Sequence, residues 1–129
     1  MKTLGLTTMF VGLLGGLPAG AGYAQSASEG EQIFRKCVAC HQLGDGAKNR
    51  AGPVLTGIVG SAAGAAESFR YSASLRAAAD AGLVWSSANL FEYLADPTGF
   101  LRLFLDDPKA RSKMSFKLRQ AAFRQNVIA

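Results

Sequence analysis

Apolar positions in this chain fall in short patches at helical spacing, separated by long runs rich in glycine and alanine. Residues 4–17 form an apolar, glycine-rich patch preceded by the single charge of Lys2. Further on, Ser28-Glu29-Gly30-Glu31 has the spacing of a capping box, with Ser28 as N-cap and Glu31 reaching back. The pattern behind it predicts a helix through Ile33, Phe34 and Cys37, with Gly30 and Phe34 four apart on one face. Residues 43–65 keep no sustained period and carry Pro53 directly after Gly52, which predicts an irregular loop. Helical patches return over residues 72–81, rich in alanine, and 87–95, where Leu90, Phe91 and Leu94 recur and Ser87 is the expected cap. Pro97 is expected to stop that helix. Residues 100–105 predict one more short helix, closed by Asp106-Asp107-Pro108, and a last helix is expected over residues 118–129. No alternating strand pattern, internal repeat or interdomain linker interrupts this series. The expected class is all-α.

The first apolar patch reads as a secretory leader. Lys2 supplies the positive start, the core follows, and Gly22-Tyr23-Ala24 is a small-x-small cleavage site. The core falls short of the roughly 20 apolar residues that a membrane span needs, and its Gly and Pro-Ala-Gly spacing favours cleavage over an uncleaved anchor. The expected division is therefore a signal peptide over residues 1–24 and one domain over 25–129, a length that suits a single small fold. The chain has 14 basic and nine acidic residues, a formal charge of +5. Loss of Lys2 with the leader lowers this to about +4, which still suits an acidic protein partner or the anionic face of a membrane. Nucleic acid is disfavoured, because an exported chain seldom meets it and no nucleic-acid motif is present.

Both cysteines and the single histidine lie within Cys37-Val38-Ala39-Cys40-His41. A C-x-x-C-H run is the signature of covalent c-type haem attachment. Two thiols three positions apart on a tight turn can each add to one porphyrin vinyl group, and the next histidine then sits beneath the iron. Three other readings compete. A thioredoxin-like redox pair belongs beside a βαβ pattern, which this chain lacks. A zinc site wants four ligands, and there is no second Cys/His cluster. A purely structural disulfide is strained at this spacing. One haem c per chain is the expected cofactor, and short helices with long loops suit a chain wrapped round such a group, which also fills a small core.

Met1 and Met9 fall within the leader, so Met114 is the methionine left to the mature chain. Methionine is commonly core filler. Met114, however, stands in Lys109-Ala110-Arg111-Ser112-Lys113-Met114-Ser115-Phe116, a basic stretch without a helical core stripe. It is the candidate sixth ligand, and His/Met ligation raises the potential and suits electron transfer.

Together these residues resemble a class I cytochrome c of the bacterial long-loop branch. The resemblance runs through Gly30-x-x-x-Phe34, the Cys37–His41 motif, Gly52-Pro53, Phe69-Arg70-Tyr71-Ser72 and Trp85. It continues in Leu90-Phe91-Glu92-Tyr93-Leu94-x-Asp96-Pro97 and Lys113-Met114-x-Phe116. It implies His41 and Met114 as axial ligands and the Pro53 carbonyl as acceptor for the other ring nitrogen of His41. It further implies Tyr71 and the indole N–H of Trp85 on a buried propionate, and Tyr93 near the Met114 sulfur. For these aromatics, core packing is the plainer alternative. Ser61 stands where many relatives carry a basic residue, which would leave a propionate without a positive partner. The family's last helix continues with an aromatic and a leucine packed across Gly30 and Phe34, so the C-terminal helix is expected to be truncated here.

The function so implied is a monomeric periplasmic electron carrier and not an enzyme. Lys36, Lys48, Arg50, Lys109, Arg111, Lys113 and Lys117 would form its docking face. Partners would be acidic faces of a cytochrome bc complex, a terminal oxidase or a photosynthetic reaction centre, with at most a peripheral contact to the membrane. The rivals are a haem enzyme or ligand sensor with an open sixth position, and a relay subunit within a larger complex.

Overall fold

The computed structural model describes residues 25–129; the expected leader lies outside them. Five helices follow in order: α1 (Ala27–Phe34), α2 (Ala73–Asp80), α3 (Ser87–Ala95), α4 (Pro97–Leu105) and α5 (Ala121–Ile128). No strand forms among the described residues, only one isolated bridge between Ala62 and Val84. No described helix is long and apolar enough to cross a membrane. The all-α expectation holds.

Helix α1 starts two residues earlier than the capping box suggests. Ser26, not Ser28, is the N-cap, and its hydroxyl accepts from the Glu29 N–H at 3.3 Å. Both serines precede a glutamate by three, so local pattern cannot choose between them. A distant residue does. Asn126 on α5 accepts from the Ser26 N–H at 3.1 Å and donates to Glu29 Oε2 at 2.7 Å. The helix also ends at Phe34 rather than continuing through Cys37, because the next turns tighten. Ser86 caps α3 in place of Ser87, its hydroxyl accepting from Asn89 N–H at 3.1 Å. Extended backbone just before it ties Trp85 N–H to Ser61 O at 2.8 Å.

Pro97 does stop α3, and it also opens α4, three residues ahead of the expected start. Proline suits a first helical position because its missing N–H would be unpaired there in any case. Asp96 serves both helices, as C-cap of α3 and as N-cap of α4 through Gly99 N–H at 3.2 Å. Asp106 in the left-handed region (φ 49°) closes α4. Helix α5 begins at Ala121 rather than Leu118. The Arg124 guanidinium takes the carbonyls of Leu118 (2.9 Å) and Arg119 (2.7 Å), and Leu118 N–H donates to Leu94 O at 2.7 Å. Those groups are unavailable for a helical ladder.

Helix α1 packs on α5, and α3 packs between α5 and α4, with α2 against α4. The core joins Ala63, Ala78, Leu83, Trp85, Leu90, Leu101 and Ala110, flanked by Tyr93 and Phe100. Gly30 lies buried at the crossing of α1 and α5, where a Cβ would strike the Asn126 carbonyl. Gly30→Ala should therefore part the two helices at a cost of about 1–3 kcal/mol or more. The expected outcome is a lower denaturant midpoint for the purified protein; an unchanged midpoint would show that the crossing tolerates a side chain.

Candidate haem site

The turn after α1 builds the site. Cys37 N–H donates to Phe34 O at 2.7 Å, and Cys40 N–H and His41 N–H both reach Cys37 O, at 3.0 and 2.9 Å. This helical winding places residues three apart on one side. Both thiols are free, Cys37 half-buried and Cys40 exposed. Burial, and then the neighbouring Cys40, push the Cys37 thiol above its ordinary range. Among the described residues, no three of His, Cys, Asp and Glu gather as a metal-binding group.

His41 is held by its own loop. Its Nδ1 lies 2.7 Å from Pro53 O. A carbonyl can only accept, so Nδ1 carries the proton and Nε2 keeps a free lone pair. The ring lies against Gly52, where a Cβ would come within 2.7 Å of both ring nitrogens. Gly52 N–H in turn donates to Cys40 O at 2.8 Å. Asn49 locks this loop from behind, accepting from Val54 N–H at 2.9 Å and donating to Glu67 O at 2.8 Å.

The remaining candidates form two groups. Tyr71 stacks edge-on against Phe69, with ring centroids 4.8 Å apart, and its hydroxyl accepts from Ala66 N–H at 2.9 Å. That leaves its own O–H proton to donate elsewhere. Burial raises the Tyr71 pKa, opposed by the Ala66 hydrogen bond. Lys113 reaches the carbonyl of Arg70 and lies 5.8 Å from the Phe69 ring centre. Trp85 is buried and packs on Tyr93, centroids 4.7 Å apart, with Phe100 completing the cluster. Burial raises the Tyr93 pKa against the opposing effect of its hydrogen bond to Ser112.

Tyr93 and Met114 meet through a residue that sequence reasoning passed over. The Tyr93 hydroxyl lies 2.9 Å from Ser112 Oγ, and Ser112 Oγ also accepts from Met114 N–H at 3.1 Å. Thr98 Oγ1 accepts from Ser112 N–H at 3.1 Å. The position of Ser112, two before the methionine, was its one available signal. Buried Arg124, 4.2 Å from the Phe91 ring centre, gave none. Ser61 turns its hydroxyl onto Ile58 O at 2.8 Å.

The donor set fits a haem. Two unpaired thiols share a turn, an imidazole presents a fixed lone pair, and a glycine admits that imidazole edge. An all-helical frame carrying this C-x-x-C-H turn is that of a c-type cytochrome of class I.

No family model matches the chain. Cytochrome c2 iso-1 of Rhodospirillum centenum is 49% identical over 107 residues, 78% of this chain and 89% of its own. Cytochrome c2 of Rhodopseudomonas palustris is 45% identical over 111 residues, 81% of this chain and 95% of its own. The solved structure of cytochrome c2 from Rhodospirillum centenum superposes with a TM-score of 0.77 at 44% identity, covering 80% of this chain and 92% of that one. The chain belongs to the cytochrome c2 family: it is a small haem protein of electron transport, with one covalently bound haem c.

Gly52→Ala would push a methyl group into the His41 ring. The expected result is a loss of covalent haem per polypeptide, read as the Soret-to-protein absorbance ratio of the purified protein. A ratio equal to that of the parent would mean that the ring needs no such approach.

Proposed function

We propose that this protein is an exported, periplasmic carrier that shuttles single electrons between membrane redox complexes. Cys37 and Cys40 would form the two thioether bonds, and His41 Nε2 and the Met114 sulfur would hold the iron. When bound, the haem supplies a metal that takes up and gives back one electron. The observation that carries this reading is the 2.7 Å contact between His41 Nδ1 and Pro53 O. It fixes the tautomer and aims Nε2, as partners behind metal-bound histidines do.

The chain's own residues then act by holding still. Tyr71 has one proton to donate to a propionate, and Trp85, in the separate cluster with Tyr93 and Phe100, has an indole N–H for the same use. Tyr93 and Ser112 steady the methionine segment from the core side. With His41 and Met114 both held in place by the chain, the surroundings would shift little when an electron moves. The domain would be residues 25–129, behind a cleaved leader over residues 1–24.

Seven basic residues around the motif and the methionine segment are all exposed: Lys36, Lys48, Arg50, Lys109, Arg111, Lys113 and Lys117. Lys117 pairs with Asp96 at 3.0 Å and Lys113 with the Arg70 carbonyl. Among the described residues no carboxylate forms a salt bridge with the other five. Val38, half exposed within the motif itself, adds apolar surface amid this charge. Such a face suits an acidic partner: a cytochrome bc complex, a terminal oxidase or a photosynthetic reaction centre. Charge complementarity of this kind speeds encounter and is screened by salt.

Met114→Ala should retain covalent haem, lose the far-red absorption of the oxidised protein and lower the reduction potential. An unchanged potential would remove Met114 as a ligand and favour an open sixth position, the mark of a sensor or peroxidase-like protein. Oxidation by a membrane fraction containing the partner should slow as ionic strength rises through the range where the Debye length falls to about 8 Å. A flat salt profile would discard the basic docking face.

A further inference from the structure

Residues 110–118, which carry Met114, run as an extended strap with no helix of their own. Each end is tied to the frame. Arg102 Nε donates to Ala110 O at 3.1 Å, Arg111 N–H to Ser74 Oγ at 2.9 Å, and Leu118 N–H to Leu94 O at 2.7 Å. The middle is held by Lys113, whose ammonium reaches the Arg70 carbonyl, and by a set of side-chain hydroxyls. Thr98, in the first turn of α4, accepts from Ser112 N–H at 3.1 Å. Ser112 Oγ then meets Tyr93 OH at 2.9 Å and accepts from Met114 N–H at 3.1 Å. Thr98, Ser112 and Tyr93 are half-buried, so water competes poorly for these bonds.

We propose that Thr98 is a positioning residue for the methionine: its hydroxyl latches the strap at Ser112 and so sets how readily the Met114 sulfur leaves the iron. The inference rests on Met114 being the sixth ligand. The chain of contacts gives the mechanism. With Thr98 Oγ1 in place, the Ser112 peptide is fixed, and that fixes where Ser112 Oγ stands between Tyr93 and Met114. Remove the acceptor and a partly buried N–H loses its partner. The Ser112 peptide then gains by rotating toward water, and Ser112 Oγ moves with it. Displacement of the Ser112 peptide thus disturbs both contacts of Ser112 Oγ, the one to Tyr93 and the one to the Met114 N–H.

The position of Thr98 makes the latch selective. It belongs to α4, whose Pro97 and Leu101 are buried in the core. The strap is therefore tied at its centre to the first turn of α4, and at its flanks to Arg102 farther along α4, to Ser74 at the start of α2 and to Leu94 at the end of α3. Opening the latch would let the methionine swing out while those flanking attachments persist.

Imidazole is the probe, because it binds ferric haem only where the sulfur has left. Thr98→Val keeps the shape and removes the acceptor. The oxidised variant should bind imidazole about tenfold more tightly than the parent, the factor expected for the loss of one net hydrogen bond. Thr98→Ser should restore the parent affinity. Ser112→Ala should raise affinity likewise, and the double variant should gain less than the sum of the two effects. A packing role alone would lower the unfolding midpoint of Thr98→Val and leave imidazole affinity unchanged; that result overturns the proposal. So does additivity of the two variants. Two controls separate the layers. If Met114→Ala retains the parent's far-red band, the ligand assignment fails and the latch with it. If that band is lost in Met114→Ala while Thr98→Val and the parent bind imidazole equally, the latch alone fails.

Discussion

One hydrogen bond orders the rest of this molecule: the His41 ring donating to the Pro53 carbonyl across 2.7 Å. It demands that the chain turn sharply after Cys40, run out through residues 42–51 and return against the ring it left. Gly52 is what permits the return, since a side chain there would occupy the space of the imidazole. Asn49 then ties the same loop forward to Glu67, linking the histidine side to the segment that leads into Tyr71. A residue that fixes one ring nitrogen thus constrains a loop of about a dozen residues, and that loop in turn carries the frame to the other candidates.

Much of this was legible in the sequence because it depends on spacing. The C-x-x-C-H run, Gly52-Pro53 and the apolar stretch of α3 each encode their geometry in a few consecutive residues. Element type was legible for the same reason, and α3 has the bounds its apolar pattern predicts. What stayed hidden was set by partners far along the chain. The choice of Ser26 over Ser28 is made by Asn126, a hundred residues away. The late start of α5 follows from the fork of Arg124 on two carbonyls. An arginine in a short amphipathic helix reads as a solvated charge; here it is buried and rests on the Phe91 ring. One of its donors, Nε, has no protein partner, so the burial is carried by the aromatic face and the two carbonyls.

Ser112 and Thr98 illustrate a third kind of concealment. Neither is a metal donor, and neither lies in a pattern that periodicity detects. Their importance comes from the crossing of the strap over the first turn of α4, a tertiary event. The Asp96-Pro97 elbow sets up that crossing. Asp96 ends one helix and caps the next, and its carboxylate is held below the ordinary range chiefly by its hydrogen bond to Lys117. Lys117 belongs to the strap, so the same elbow receives the strap twice, through an ion pair at Asp96 and a hydroxyl at Thr98.

These two attachments differ in what they can contribute. The Asp96–Lys117 pair is largely exposed, and pairs of that kind are worth little in water. Raising salt weakens it further without disturbing half-buried hydroxyls. The Thr98–Ser112 contact is neutral, partly shielded and continuous with Tyr93 in the aromatic cluster. An electron carrier that docks through charge meets changing ionic surroundings at its surface. On the proposed reading, the uncharged bonds of the strap persist behind that surface when salt loosens its ion pair at Asp96, so charge contacts with a partner would vary while Met114 stays in place.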